Sequence, residues 1–345
     1  MKVQNCLKFL VVLAVIITAC SPDDPEFIPV PDRDRAEQQA TDDALLQEYF
    51  STHYYNKMQL DALNNIRVQD IDIIEVASGG TVPDGYVILQ GNVETHTTIF
   101  SDVDYTYYIL RLNQGGGEAS PRFTDKVRVE YEGFLVDGGE VFDSAITPED
   151  FDLVDISAGS VVIPTGWNRV MPEFNVSQDF TTGANGVEYN NYGTGIMFLP
   201  SGLGYFSTAR LGIPVYSNLV FKFTLLQTEE NDHDGDGIPS YLEDVNSNLN
   251  TFDDNEDEDL SPDFLDIDDD GDGVSTRNEL LPKEYIVDTN SGDTEPVLGA
   301  NEFEISRSEE NGIITINTVE RLDTDGNNKF DYLDDEITID YSEDN

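Results

Sequence analysis

The sequence predicts an α+β protein: an antiparallel sheet joined by tight turns, continued by an acidic tail with little regular structure. Three observations carry this. Between Tyr105 and Gln227, short runs place apolar residues at alternate positions and are separated by turn formers, the mark of half-buried strands. Ahead of them, Ala36 to Tyr54 sets Leu45, Leu46, Tyr49, Phe50 and His53 at helical spacing. Beyond Gln227 the composition shifts, and from Glu229 to Leu281 every charged residue except Arg277 is Asp or Glu. A chain of 345 residues has room for two domains. The boundaries read as 1–20, 21–85, 86–228 and 229–345.

Taken in order, Lys2 and Lys8 flank the front of an apolar run from Phe9 to Ile17, too short to cross a bilayer but suited to the apolar region of a signal peptide. The run ends in Ile17-Thr18-Ala19-Cys20, which resembles the lipobox of bacterial lipoproteins. That resemblance implies lipidation of Cys20, which becomes the new N-terminus once the residues before it are removed, and a lipid anchor in the outer membrane of the cell envelope. Cys6 falls in the removed segment, so the mature chain has no internal disulfide. The acidic Ser21–Glu26 resembles the surface-export tag of Bacteroidetes lipoproteins, which implies exposure at the cell surface. The segment 21–85 reads as an acidic linker carrying the helix of Ala36–Tyr54, with Thr41-Asp42-Asp43 as its capping region. That helix packs on its own domain, spaces the anchor, or forms a dimerising arm; His53 and His96 are isolated and read as structural.

Charge narrows the partners. With 18 Lys+Arg against 69 Asp+Glu the net charge is −51, which excludes nucleic acid, because a phosphate backbone needs a basic footprint. Cations are the natural counterpart.

The segment from Asp125 to Ser144 reads as a β-hairpin. Val127, Val129 and Tyr131 alternate with Lys126, Arg128, Glu130 and Glu132; Asp137-Gly138-Gly139 supplies a turn; Val141-Phe142 resumes the strand and Asp143 follows. Downstream come Val161–Trp167 (VVIPTGW), Leu199–Tyr205 (LPSGLGY), Gly212-Ile213-Pro214 and Leu219–Leu226 (LVFKFTLL). Together with Tyr107–Ser144, these five fragments follow the order and approximate spacing of FKBP-type peptidyl-prolyl cis-trans isomerases, which the region resembles over about 120 residues. The resemblance implies an antiparallel sheet wrapped around one short helix opening at Trp167. It also implies a prolyl pocket lined by Tyr131, Phe142, Val162, Ile163, Trp167, Tyr205, Ile213 and Phe221. Trp167 would be its floor, and Asp143 and the Tyr205 hydroxyl its polar groups. Taken alone, Val162, Ile213 and Phe221 fit plain core packing equally well. Such a pocket needs no cofactor for catalysis, and its partners are proline-containing polypeptide clients. The chain departs from the family pattern in the extra residue of Pro164-Thr165, in Phe206 where glycine usually follows the tyrosine, and in a polar insertion over 175–195. An inactive FKBP-like module for peptide binding or surface adhesion is the alternative function.

The tail repeats a twelve-residue register suited to wrapping a hard cation in oxygen ligands. Asp232, Asp234, Asp236, Ile238 and Glu243 occupy positions 1, 3, 5, 7 and 12 of the first loop, with Gly237 at 6; Asp268, Asp270, Asp272, Val274 and Glu279 fill the second. Asp323, Asp325, Asn327, Lys329 and Asp334 fill a third, in which Asn328 replaces the glycine as the next best residue for a left-handed turn. A degenerate copy runs from Asn255 to Asp266. These loops resemble thrombospondin type 3 repeats, which implies structural Ca2+, and free of metal the tail is expected to be expanded by self-repulsion. Phe303–Ile305 and Ile313–Ile316 around Asn311-Gly312 read as a further hairpin.

Overall fold

The computed structural model describes residues 31–154, 163–184 and 186–344. Asp34–Asn345 form one compact unit. Helix α1 spans Arg35–Thr52. Its cap is Asp34, whose carboxylate accepts from the Glu37 amide, not the Thr41–Asp43 segment that composition suggested. Those residues lie inside the helix: Asp42 is fully buried and accepts from the Ser201 amide and hydroxyl, so its charge serves tertiary anchoring.

After α1 come β1 (His53–Tyr55), α2 (Lys57–Leu60), β2 (Ile73–Glu75) and β3 (Val87–Ile88); the three strands make a small sheet in the order β2-β1-β3. The main sheet is built from β4 (Glu94–Phe100), β5 (Val103–Asn113), β6 (Lys126–Leu135), β7 (Val141–Asp152), β10 (Gly193–Leu199) and β11 (Leu219–Glu229). Its order is β4-β5-β10-β11-β6-β7, and each neighbouring pair is antiparallel. Between β7 and β10 lie α3 (Gly166–Val170) and a hairpin of β8 (Asp179–Gly183) and β9 (Gly186–Asn190). The polar 175–195 insertion is thus partly regular, with Phe180 about half exposed on it.

Both faces of this sheet are covered. Tyr107, Ile109, Val129, Tyr131, Met197, Phe221 and Phe223 point to one side and pack with Trp167, Val170 and Met171 of the α3 segment. Tyr108, Leu110, Ile196, Phe198 and Val220 point to the other and pack with Leu46, Tyr49 and Phe50 of α1. Alternation along a strand therefore feeds two cores instead of one core and solvent. Burial of the α1 face against the sheet is what holds the helix, since propensity alone supplies little.

The tail departs from the irregular segment its composition suggested. The expected hairpin exists as β13 (Glu302–Glu310) and β14 (Ile313–Glu320), and β12 (Leu281–Asp288) completes a sheet in the order β12-β14-β13. Leu280, Val319, Tyr332, Leu333 and Ile238 form a small apolar core beneath it. Burying these side chains gives the segment a reason to fold that net charge conceals.

Candidate functional site

The first candidate lies where β6, β7 and α3 meet. The register of β6 sends Tyr131 inward, and α3 carries Trp167, which is buried to 1% exposure. The Trp167 ring stands edge-to-face with Tyr131 at 5.8 Å, Phe151 at 5.3 Å and Phe221 at 5.3 Å between centroids. Phe142 meets Phe221 edge-on at 5.5 Å. Such tilted pairs satisfy the ring quadrupoles and fix the walls. The Tyr131 hydroxyl donates to Asp143 Oδ2 at 2.7 Å; burial first, and this bond second, push the phenol well above its usual pKa. Tyr205 is half-buried, its pKa also raised by burial, and the Arg210 guanidinium sits 5.3 Å from its ring centroid. Ile163 and Tyr205 pack on the rim of this core, and Ile213 is buried within it.

The structure thus gathers Tyr131, Phe142, Asp143, Ile163, Trp167, Tyr205, Ile213 and Phe221 around one hydrophobic cluster. Val162 and Cys20 lie outside the described residues. Phe151, absent from the sequence-based set, is a fourth aromatic wall; it sits on β7, which runs much further than the Val141-Phe142 stub that alternation revealed. Gly133 was also missed: a Cβ there would lie 2.7 Å from ring carbons of both Phe142 and Phe221. Of the departures, Phe206 takes a positive φ of 47° and places its ring against Arg35 (4.1 Å) and Tyr216 (5.1 Å). Pro164 accepts from the Trp167 amide, starting α3. Gly166 has no room for a Cβ, which would meet Leu199 at 2.4 Å.

The second candidate is the acidic tail, and its register is physical. In the first, degenerate, second and third loops alike, the amide at position 2 donates to the side chain at position 9: His233 to Ser240, Glu256 to Asp263, Asp269 to Thr276 and Thr324 to Asp331. The position-7 amide donates to the position-5 side chain in each, from Ile238, Ser261, Val274 and Lys329. The residue before each loop accepts from the position-9 amide. Asn328 adopts φ +73°, filling the role glycine has in the first two loops. Asp232 accepts from the Gly235 and Gly237 amides, so it shapes the turn.

Among the described residues, two groups bring carboxylate oxygens within 4.8 Å of one another: Asp234, Asp236, Glu243 and Asp269, and Asp268, Asp270 and Asp272. Buried oxygens of all seven lack a hydrogen-bond partner, as do both oxygens of Glu279. Burial, reinforced by neighbouring carboxylates, raises Asp236 to about 7, Asp234 to about 8, Glu279 to about 9 and Asp269 to about 10, and takes Glu243 far above the usual range. Desolvated, mutually repelling carboxylates with free lone pairs match the needs of a hard divalent cation. The third loop differs: Asn327 donates to Asp334 Oδ2 at 2.6 Å, closing the ring of ligands on itself. No helix among the described residues is long and apolar enough to cross a membrane.

Residues 233–304 match the family model described as BamM C-terminal, which covers the first, degenerate and second loops and reaches β13; the family that matches there is this one and not the thrombospondin type 3 repeats that the loops suggested. No curated protein matches the chain. Among solved structures, the chain is similar to a peptidyl-prolyl cis-trans isomerase from Pseudomonas syringae pv. tomato, at 19% identity over 41% of this chain and 83% of that one, with a TM-score of 0.29. It is also similar to FkpA from Escherichia coli, at 27% identity over 40% of this chain and 52% of that one, with a TM-score of 0.29.

Proposed function

We propose that the chain is an FKBP-type peptidyl-prolyl cis-trans isomerase that assists the folding of exported polypeptides. It is held at the cell envelope by a lipid on Cys20 and stiffened by Ca2+ in its tail. One observation carries the enzymatic reading: the aromatic walls of Tyr131, Phe142, Phe151 and Phe221 around Trp167, with the Tyr131–Asp143 hydrogen bond as the polar group at their edge. Rotation about a prolyl bond faces a barrier of roughly 18–20 kcal/mol from amide resonance. No proton or nucleophile is needed. A water-poor aromatic wall stabilises the twisted, less delocalised amide more than the planar one, and only such differential binding accelerates the step.

The test is a protease-coupled assay on an X-Pro peptide. The full chain should exceed the uncatalysed rate, and Asp143→Ala should lose about tenfold in kcat/KM, equivalent to about 1.4 kcal/mol of transition-state stabilisation. A wild-type rate equal to the uncatalysed one rejects the enzyme. The anchor is tested by mass spectrometry of the mature N-terminus, where an unacylated residue 20 rejects it. For the cation, Asp234, Asp236 and Glu243 would hold one ion, and Asp268, Asp270, Asp272 and Glu279 a second. When bound, the ion neutralises carboxylates that otherwise repel one another in a dry cluster.

A further inference from the structure

Asp269 lies at position 2 of the second loop, a place that lends no ligand to its own ring. Its side chain joins the first loop's group, within 4.8 Å of ligand oxygens from Asp234, Asp236 and Glu243, while its chain neighbours Asp268 and Asp270 belong to the second group. Asp269 and Glu243 are each 1% exposed, and all four of their carboxylate oxygens are buried without a hydrogen-bond partner. With the free Oδ2 atoms of Asp234 and Asp236, six buried oxygens of these four residues lack a hydrogen-bond partner, and one oxygen from each residue lies within 4.8 Å of the other three, the hard oxygen donors that Ca2+ takes. The Asp269 amide is tied to Thr276 Oγ1 at 3.2 Å, which fixes where the side chain leaves the second loop.

We infer that Asp269 is a ligand of the first cation site donated by the second loop, so that the two loops form one linked binuclear centre. This deepens the calcium reading above and rests on it. Asp232, the first loop's remaining carboxylate, accepts from the Gly235 and Gly237 amides and stays outside the group, so the fourth member comes from Asp269, in place only when residues 268–270 are folded. Ordering the second ring around its own ion positions Asp269, and loading the first site holds Asp269 in place and so orders the second ring. Binding at either site therefore strengthens binding at the other, as linkage requires. The link is short: three consecutive residues carry the ligands of both ions.

The test is calorimetric titration of the full chain with Ca2+, with ion counting by native mass spectrometry. Wild type should bind with positive cooperativity between two sites. Asp269→Asn preserves size and should weaken the first site at least tenfold and abolish the cooperativity. Glu279→Gln, which alters only the second ring, should weaken the second site directly and the first through the lost coupling. Asp253→Asn, an exposed carboxylate outside both groups, should change neither. Wild type taking up no Ca2+ would overturn the calcium reading itself. Two ions bound with unchanged affinity and slope in Asp269→Asn, or Glu279→Gln affecting one site alone, would overturn the shared ligand while leaving that reading intact.

Discussion

At the scale of single residues, the proposed prolyl site depends on what is absent at position 133 as much as on its aromatic rings. Gly133 sits on β6 between Tyr131 and Phe134, and the space a side chain would take is filled by Phe142 and Phe221. Gly133→Ala should therefore displace one of these rings, costing about 1–3 kcal/mol of stability as an overpacked core does. It should also lower prolyl isomerase turnover more than Asp143→Ala does. Denaturant unfolding and the peptide assay measure the two effects, and an unperturbed variant would show that the rings have slack. Most of the pocket was legible in the sequence because its members are large aromatics at strand positions: Tyr131, Phe142, Trp167 and Phe221 all meet in the structure. Phe151 and Gly133 were not, for opposite reasons. Phe151 lies among Glu149, Asp150 and Asp152, which mask its inward direction, and a glycine's spatial role exists only once the strands are paired. Asp269 was hidden likewise, because reading one loop at a time assigns position 2 to nothing.

At the scale of elements, alternation identified β6 and the turn after it, and Gly138 and Gly139 take the positive φ values that the turn requires. It could not reveal that the sheet is covered on both sides. β10 is buried at every residue from Gly193 to Leu199, so its run Ile196–Leu199 shows no polar face to mark a period. The covering element is α1, and its anchor is electrostatic as well as apolar. Asp42 accepts from Gln38 Nε2 at 2.6 Å and from the Ser201 amide and hydroxyl at 2.8 and 2.5 Å, entirely out of solvent. The Asn218 side chain donates to the Asp42 carbonyl, tying the start of β11 to the same turn of helix. Asp42→Ala strands the Ser201 donors and should cost about 2–3 kcal/mol, the range for removing a charged hydrogen-bond partner from a buried site. Asp43→Ala, one residue on, removes a bond to the Tyr108 hydroxyl at a partly exposed position and should cost less. Equal losses in urea unfolding would mean that α1 is held by its apolar face alone.

At the scale of the molecule, the tail is clamped onto the half that carries the main sheet. His233, between two acidic residues of the first loop, meets Asp152 of β7 at 3.0 Å; Asn231 donates to the Thr124 carbonyl; and Arg169 of α3 donates to the Leu249 carbonyl at 3.0 Å. Arg169 is two residues from Trp167, the single tryptophan of the chain, so the tail is bonded to the same helix that carries that ring. If the tail binds Ca2+ as proposed, protons and Ca2+ compete for it. The buried carboxylates have folded-state pKa values of about 7 to 10, above the roughly 4 of an unfolded chain. Without metal, the folded tail therefore binds more protons than the unfolded one between those limits. Its stability is fullest below about pH 4 and falls as pH rises through about 7 to 10. Ca2+ binds the ionised form, so its stabilising effect must grow over the same window. Metal-stripped protein should accordingly melt at a lower temperature at pH 8 than at pH 5, and added Ca2+ should raise the melting temperature more at pH 8. Trp167 fluorescence should follow the calcium-dependent transition in the wild type, and Arg169→Ala should uncouple the two signals. A calcium-induced gain of the same size at both pH values would mean that these carboxylates are already ionised and solvated when metal is absent, and that the tail is open in that state.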